Sequence, residues 1–368
     1  MEQRRRDRVR IPIDERVFPE PAIFFLAPDY NRPSGGVRTL YRHVDILNTA
    51  GIRAFVLHQK RNFRCSWFEH CTPVTDISRA ALHKSDLLVV TELDIDLLNR
   101  LPPDTRHVIF NQGVHLTWTR SAGNGLCHYQ QRPGLAGVVT VSEHSSDVLR
   151  YAFDPDHLRR IHLSIDSNLF HPDGASRARR IAYMPRRGER DIRPVLEILR
   201  ARNLLDDWEV VPIDGLAPPK VGEILRTTRI FLSFADQEGF GLPAAEAMAC
   251  GNYVVGYHGF GGREYFRPSF SAPVPAADIL AFASTVEDVL RCDSEDETWC
   301  QTRGKEASAF VLSKYSREQE QRDVIETYTE LIRDPFSVSA RRPTQVRHEP
   351  SPNPRDVDHA ADGTVMPT

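Results

Sequence analysis

The sequence predicts an α/β protein built from two doubly wound domains, each a parallel sheet covered by helices on both faces. Three observations predict it. Short, wholly apolar runs alternate with segments of helical period along most of the chain. That alternation halts in a turn-rich stretch, DSNLFHPDGAS (166–176), and then starts again. The length of 368 residues, 40% apolar and 26% charged, suits two globular domains.

The first series opens with AIFFLA (22–27) as a strand, a Gly-rich turn, and a helix over VRTLYRHVDILNTAG (37–51). Strands follow at RAFVLH (53–58), DLLVVT (86–91), RHVIFNQ (106–112) and GVVTVS (137–142), with a helix over HSSDVLRYAF (144–153). The second series places strands at RIAYMP (180–185), WEVVPI (208–213), RIFLSF (229–234) and NYVVGY (252–257). Its helices include 192–203, 221–227, 276–291, 303–315 and 316–334. The expected organisation is a basic, solvated arm over 1–19, a first domain over 20–165 and a second over 166–334. Residues 335–368 are Pro-rich, charged and nearly free of large apolar side chains, so they are expected to be disordered.

Bulk properties exclude several classes. A formal net charge of -3 does not suit a nucleic-acid-binding surface spread over the whole molecule. No apolar stretch approaches the length of a membrane span. Six cysteines without a C-x-x-C pair read as reduced thiols of a cytoplasmic protein. Cys65, His70 and Cys71 lie close in sequence but lack a fourth ligand for zinc. The arm MEQRRRDRVRIPIDER leads into no apolar signal core; a weak peripheral contact with anionic head groups at the inner membrane face is its secondary reading.

The chemistry concentrates in EGFGLPAAEAMACG (238–251), directly after the strand RIFLSF. Proline is tolerated in the first turn of a helix, so Pro243 sets the helix start near Gly241 or Leu242. Glu238 then lies at the mouth of the strand and Glu246 one turn into the helix. Glycines let backbone amides come close to a ligand, and the free N–H groups of a helix start attract a phosphate. An acid on each side can accept hydrogen bonds from hydroxyls. The order of groups suits a sugar, a diphosphate and a ribose in one molecule, which is a nucleotide sugar.

The same segment, EGFGLPAAEAMACGNYVV, resembles the E-x7-E region of retaining glycosyltransferases of the GT-B fold, the group 1 type. The resemblance covers most of residues 20–333 and includes SGGVRTL (34–40), VTVSEHSSDVL (139–149), IHLSIDSNLFHP (161–172), AYMPRR (182–187) and GFGGREYF (259–266). It implies two Rossmann-like domains facing across a cleft, the first for the acceptor and the second for the donor. It implies that Glu238 contacts the transferred sugar and Glu246 the ribose. It assigns Gly35 and Gly36 to the diphosphate, with Gly239, Phe240, Gly241 and Leu242 completing the donor seat. Arg186 and Arg187 would neutralise the phosphates, and His115 would sit near the transferred sugar. Glu238, His115 and Arg186 are thus the expected catalytic set, in a hexosyltransferase that retains configuration and needs neither metal nor cofactor. The acceptor would be a hydroxyl of a glycan, a lipid-linked glycan or a small molecule, in polysaccharide or glycoconjugate synthesis. The family's lysine after its arginine is replaced here by Asp191 and Ile192, with Arg187 and Arg190 as alternatives. A glycine usual in the family is also missing from IHLSID, at Leu163–Ser164.

Two other functions compete. GFGLPA (239–244) fits the G-x-G-x-x-A fingerprint of an NAD-dependent oxidoreductase, but NYVVGY ends without an acid for a ribose hydroxyl. A catalytically inactive GT-B module that binds glycans or partners is the other, against which the intact Glu238 and Glu246 weigh. Asp94-Ile95-Asp96 matches a D-x-D metal pattern, yet early acids also suit the start of a helix over 94–101.

Overall fold

The computed structural model describes residues 10–17, 19–120, 125–130, 132–174, 177–186 and 188–333. The proposed tail, most of the basic arm and Arg187 lie outside the described residues.

The first half contains β1 (Ile13–Asp14), β2 (Ile23–Leu26), α1 (Gly35–Thr49), β3 (Ala54–His58), β4 (Val74–Asp76), β5 (Leu82–His83), β6 (Leu87–Thr91), β7 (His107–Asn111), α2 (Val114–Arg120), β8 (Leu135–Thr140), α3 (Glu143–Phe153) and β9 (Leu158–Arg160). The second half contains β10 (Arg180–Tyr183), α4 (Glu189–Ala201), β11 (Glu209–Pro212), α5 (Pro218–Thr227), β12 (Ile230–Ser233), α6 (Leu242–Ala249), β13 (Tyr253–Gly256), β14 (Ser271–Pro273), α7 (Ile279–Glu295), α8 (Trp299–Lys314) and α9 (Arg317–Arg333).

Seven parallel strands form the first sheet in the order β4-β3-β2-β6-β7-β8-β9. Five parallel strands form the second, in the order β11-β10-β12-β13-β14. The central strands β2, β6, β7, β12 and β13 are buried along their whole length, which explains their largely apolar sequences. Each sheet changes direction of strand order once, between β2 and β6 and between β10 and β12. Ligands of such sheets bind beyond the strand C-termini at that reversal. The turns after β2, β10 and β12 carry Gly35–Gly36, Arg186 and Glu238, so the sheet order itself puts these residues at the two reversals.

α9 returns to the first half. Its Tyr328 packs edge-on against Phe25 of β2 at 5.1 Å, and Arg106 donates to the Leu331 carbonyl at 3.0 Å. One buried cluster runs from Phe25 and Val37 through Phe240 and Ala245 to Tyr315 and Tyr328. This shared core holds the two sheets in one unit.

Three local expectations change. Ile11 is buried and β1 pairs with β5, so this part of the expected solvated arm is built into the fold. Its alternating Ile11 and Ile13 give it an apolar face. The segment after Asp94 is a 3-10 turn over Ile95–Arg100 rather than an α-helix, with Asp94 accepting from the Thr91 hydroxyl at 3.0 Å. Residues 114–118, which no expected strand or helix covers, begin the short helix α2.

Candidate active site

Ser34 caps α1. Its backbone is extended and its hydroxyl accepts from the Val37 amide at 3.4 Å, so Gly35 and Gly36 form the first turn. Both glycines face other elements closely. A Cβ on Gly35 would stand 2.9 Å from Leu242 Cδ1, and one on Gly36 3.3 Å from Gln112 Oε1.

The turn after β12 is tighter. The Glu238 amide donates to the Gly259 carbonyl at 2.8 Å, and Glu238 bridges to Phe260. A Cβ on Gly239 would fall 1.7 Å from the Gln112 carbonyl oxygen, so at this position only glycine admits the first half's β7 loop. Gly241 has a φ of 90°, and the Tyr265 hydroxyl donates to its carbonyl at 2.7 Å. Phe240 is buried edge-on against Tyr315. Leu242 then starts α6, where the position of Pro243 predicts the start.

Arg186 reaches across the cleft. Its Nη1 donates to the Pro33 carbonyl at 2.8 Å, and its Nε lies 3.3 Å from Asp214. His115, on α2, stacks with His144 (5.5 Å) and lies tilted against Phe260 (5.2 Å), and its Nε2 has no partner among the described residues. Burial pushes the His115 imidazole below its ordinary pKa, with Asp236 opposing. A neutral ring at pH 7 follows.

These groups surround a cavity of about 710 Å³ between the halves. The first half contributes Gly35, Gly36, Gln112 and His115. The second contributes Arg186, Gly188, Glu238 and the run Gly239–Leu242. Every described residue of the expected site therefore lines one space, except Glu246.

Glu246 lies one turn into α6, where the sequence places it. It does not line the cavity; it is 7% exposed and faces α1, where Arg38 Nη2 meets its Oε1 at 2.7 Å. The cause is helical geometry. Four residues beyond Leu242, its side chain follows the same helix face one turn further in, and that face packs on α1. Burial pushes its carboxyl above the ordinary value, while Arg38 opposes the rise. Of the two basic alternatives, Arg190 is exposed and turned to Asp191 at 3.2 Å.

Known proteins are similar to this chain in part of its sequence and in its fold. Residues 201–307 fit the family model described as glycosyl transferases group 1. The sucrose-phosphate synthase of Thermosynechococcus elongatus has the same fold, with a TM-score of 0.64 at 15% identity, covering 84% of this chain and 99% of that one. Over residues 201–307 the chain is thus similar to the group 1 glycosyltransferases. Anabaena HepE, solved in complex with UDP and glucose, is similar at a TM-score of 0.62 and 14% identity, over 84% of this chain and 99% of that chain. An alpha-1,6-glucosyltransferase of Actinobacillus pleuropneumoniae serotype 7 (strain AP76) is 42% identical over 50 residues, which span 14% of this chain and 15% of that protein. The GT-B fold expected from the resemblance is the fold observed.

Of the glycines of G-x-G-x-x-A, Gly239 abuts Gln112 of the first half, whereas Gly241 abuts Tyr265 within the second. His70 turns its Nε2 to the Cys65 carbonyl at 3.0 Å rather than to a thiol. Two residues of the site carry no signal in the sequence reading. Gln112 touches both glycine turns and donates its backbone N–H to Glu92 at 3.0 Å. Arg38 stands two residues after the quoted glycines, but its partner lies 208 residues away.

Proposed function

We propose that the protein transfers a hexose or deoxyhexose from a nucleoside diphosphate sugar to a hydroxyl acceptor with retention of configuration, in polysaccharide or glycoconjugate synthesis. One observation carries this reading. Two glycine turns, an arginine, a histidine and a glutamate converge on a single cavity at both sheet reversals, in a chain whose residues 201–307 fit the group 1 glycosyltransferase model.

The chemistry follows from what each group can do. As the bond from the anomeric carbon to the diphosphate breaks, negative charge collects on the leaving oxygens. Arg186 offers guanidinium N–H donors, and the glycine turns offer backbone amides, at the wall of the same space. Each charge-assisted hydrogen bond contributes about 1.5–3 kcal/mol. Three or four of them supply a useful part of the roughly 8–23 kcal/mol by which enzymes lower barriers. Glu238 holds sugar hydroxyls, and His115, neutral, lies against the sugar. The acceptor oxygen bonds the anomeric carbon on the face that the diphosphate leaves, and its proton passes to the departing phosphate. The proposed reaction uses no metal or cofactor. Its location is proposed to be cytoplasmic; among the described residues no helix is long and apolar enough to cross a membrane.

The test is incubation with UDP-, GDP- and dTDP-sugars and a panel of glycan acceptors, with proton NMR of the first product. Consumption of one donor and a product of the donor's own anomeric configuration is expected. An inverted product would remove retention; binding of NAD with no nucleotide sugar consumed would favour the oxidoreductase reading.

A further inference from the structure

We propose that Arg38 is a positioning residue that holds Glu246 with one oxygen engaged and the other open to ribose hydroxyls, and so sets the preference for a ribonucleotide donor. The inference rests on the donor reading above and assigns to it a residue from the opposite half.

The geometry starts at the two helix N-termini. Gly35 of α1 meets Leu242 of α6 at the cavity wall. One turn further along each helix, Arg38 meets Glu246 at 2.7 Å. The ion pair thus stands directly behind the wall, and each partner comes from a different half. Buried ion pairs are weak sources of stability, because desolvation offsets most of the attraction. A carboxylate in so apolar a helix, LPAAEAMA, calls for another reason.

The charged and titratable groups that face Glu246 are few. Arg38 and Arg42 approach from α1, Asp166 from the segment joining the halves, Tyr265 from the turn before β14, and Cys250 from its own helix. Arg42 is engaged by Glu320 at 2.7 Å. Arg38 is therefore the one cation at hydrogen-bond distance from Glu246 among the described residues. Burial alone drives this carboxyl toward its neutral form, which carries a proton on one oxygen. Only the ionised form accepts on both oxygens, so that a ribose presenting two hydroxyl donors finds Oε2 available while Arg38 keeps Oε1. Because Arg38 belongs to the first half, the acid reaches this state only with the halves together.

The experiment is calorimetry of the full chain and its Arg38→Ala, Arg38→Gln and Arg38→Lys variants with UDP and GDP and with their 2′,3′-dideoxy counterparts, from about pH 6 to about pH 9. Arg38→Ala is expected to weaken the ribonucleotide about tenfold at neutral pH, the scale of one charged hydrogen bond. It should change the dideoxy nucleotide less than about twofold, and the deficit should shrink as pH rises and Glu246 ionises unaided. Arg38→Lys should restore much of the loss, and Arg38→Gln repeats the neutral test if the alanine variant does not fold. Equal losses for both nucleotides, independent of pH, would make Arg38 a mere structural latch and overturn the inference. A wild-type protein that binds neither UDP nor GDP would instead remove the donor reading on which it stands.

Discussion

Arg38 and Arg42 stand one turn apart on α1, and each reaches a buried glutamate of the second half at 2.7 Å. The two pairs look alike but differ in how the acid is supplied. Burial works against ionisation of both. At Glu320, Arg42, His43 and Ser164 together overcome it and hold the carboxyl down to about 2. At Glu246, Arg38 does not, and the carboxyl stays raised. His43 lies 3.5 Å from Glu320 and is itself pushed down by burial, so it faces the acid as a neutral ring and Arg42 carries the charge. Glu320 has a full set of partners and acts as a clasp between α9 and α1. Glu246 has acceptor capacity left over, which is what a ligand-binding acid requires.

The comparison breaks most easily on stability. Removing one partner of a satisfied buried pair costs about 3–5 kcal/mol. Glu320→Ala should therefore lower the melting temperature sharply, and Glu246→Gln much less. Equal losses would erase the distinction. Acid titration sharpens it. The folded pKa of Glu320 lies below its ordinary value of 4.5, so its contribution is complete above that pH and is lost as pH falls through about 2. Glu320→Gln should flatten that limb of a plot of melting temperature against pH.

The two glycine turns allow a second contrast. Gly239 meets a backbone carbonyl, which cannot move aside, whereas Gly36 meets the end of the Gln112 side chain, which can. Overpacking typically costs about 1–3 kcal/mol. Gly239→Ala should reach that range in thermal melts and separate the halves at the cavity, whereas Gly36→Ala should change stability by less than about 0.5 kcal/mol.

Smaller stability effects with larger functional ones are expected at the wall itself. Glu238→Ala should mainly lower turnover, while Glu246→Ala and Arg186→Ala raise the donor Kd, Arg186→Ala by about tenfold. Arg186 is half-exposed, so its removal should leave the melting temperature nearly unchanged. A melt that collapsed on loss of Arg186 would show that its bond to Pro33 is structural.

Much of this architecture was open to reading from residues. IFFL, LLVVT and IFLS announce buried parallel strands because both faces are covered and no polar residue interrupts them. Pro243 placed the start of α6 because the missing N–H is harmless only there. The short edge strands β4, β5, β9 and β14 escaped, since two or three residues carry no period and are set by the neighbour they pair with. The helix α2 escaped for the same reason: VHLTWTR is too short to show an apolar face. For the site, local motifs announced Glu238, Arg186 and both glycine turns. Arg38 could not be found that way, because its role depends on an acid 208 residues distant and on the packing of two helices.

The central claim is that the cavity between the halves is the seat of a nucleoside diphosphate sugar. Titration calorimetry of the wild-type chain with UDP, GDP, dTDP and NAD tests it most directly. Saturable, one-to-one binding of one nucleoside diphosphate, weakened in Arg186→Ala and absent for NAD, is the predicted result. Binding of NAD alone, or of a nucleoside diphosphate with an affinity indifferent to Arg186 and Glu246, would contradict it.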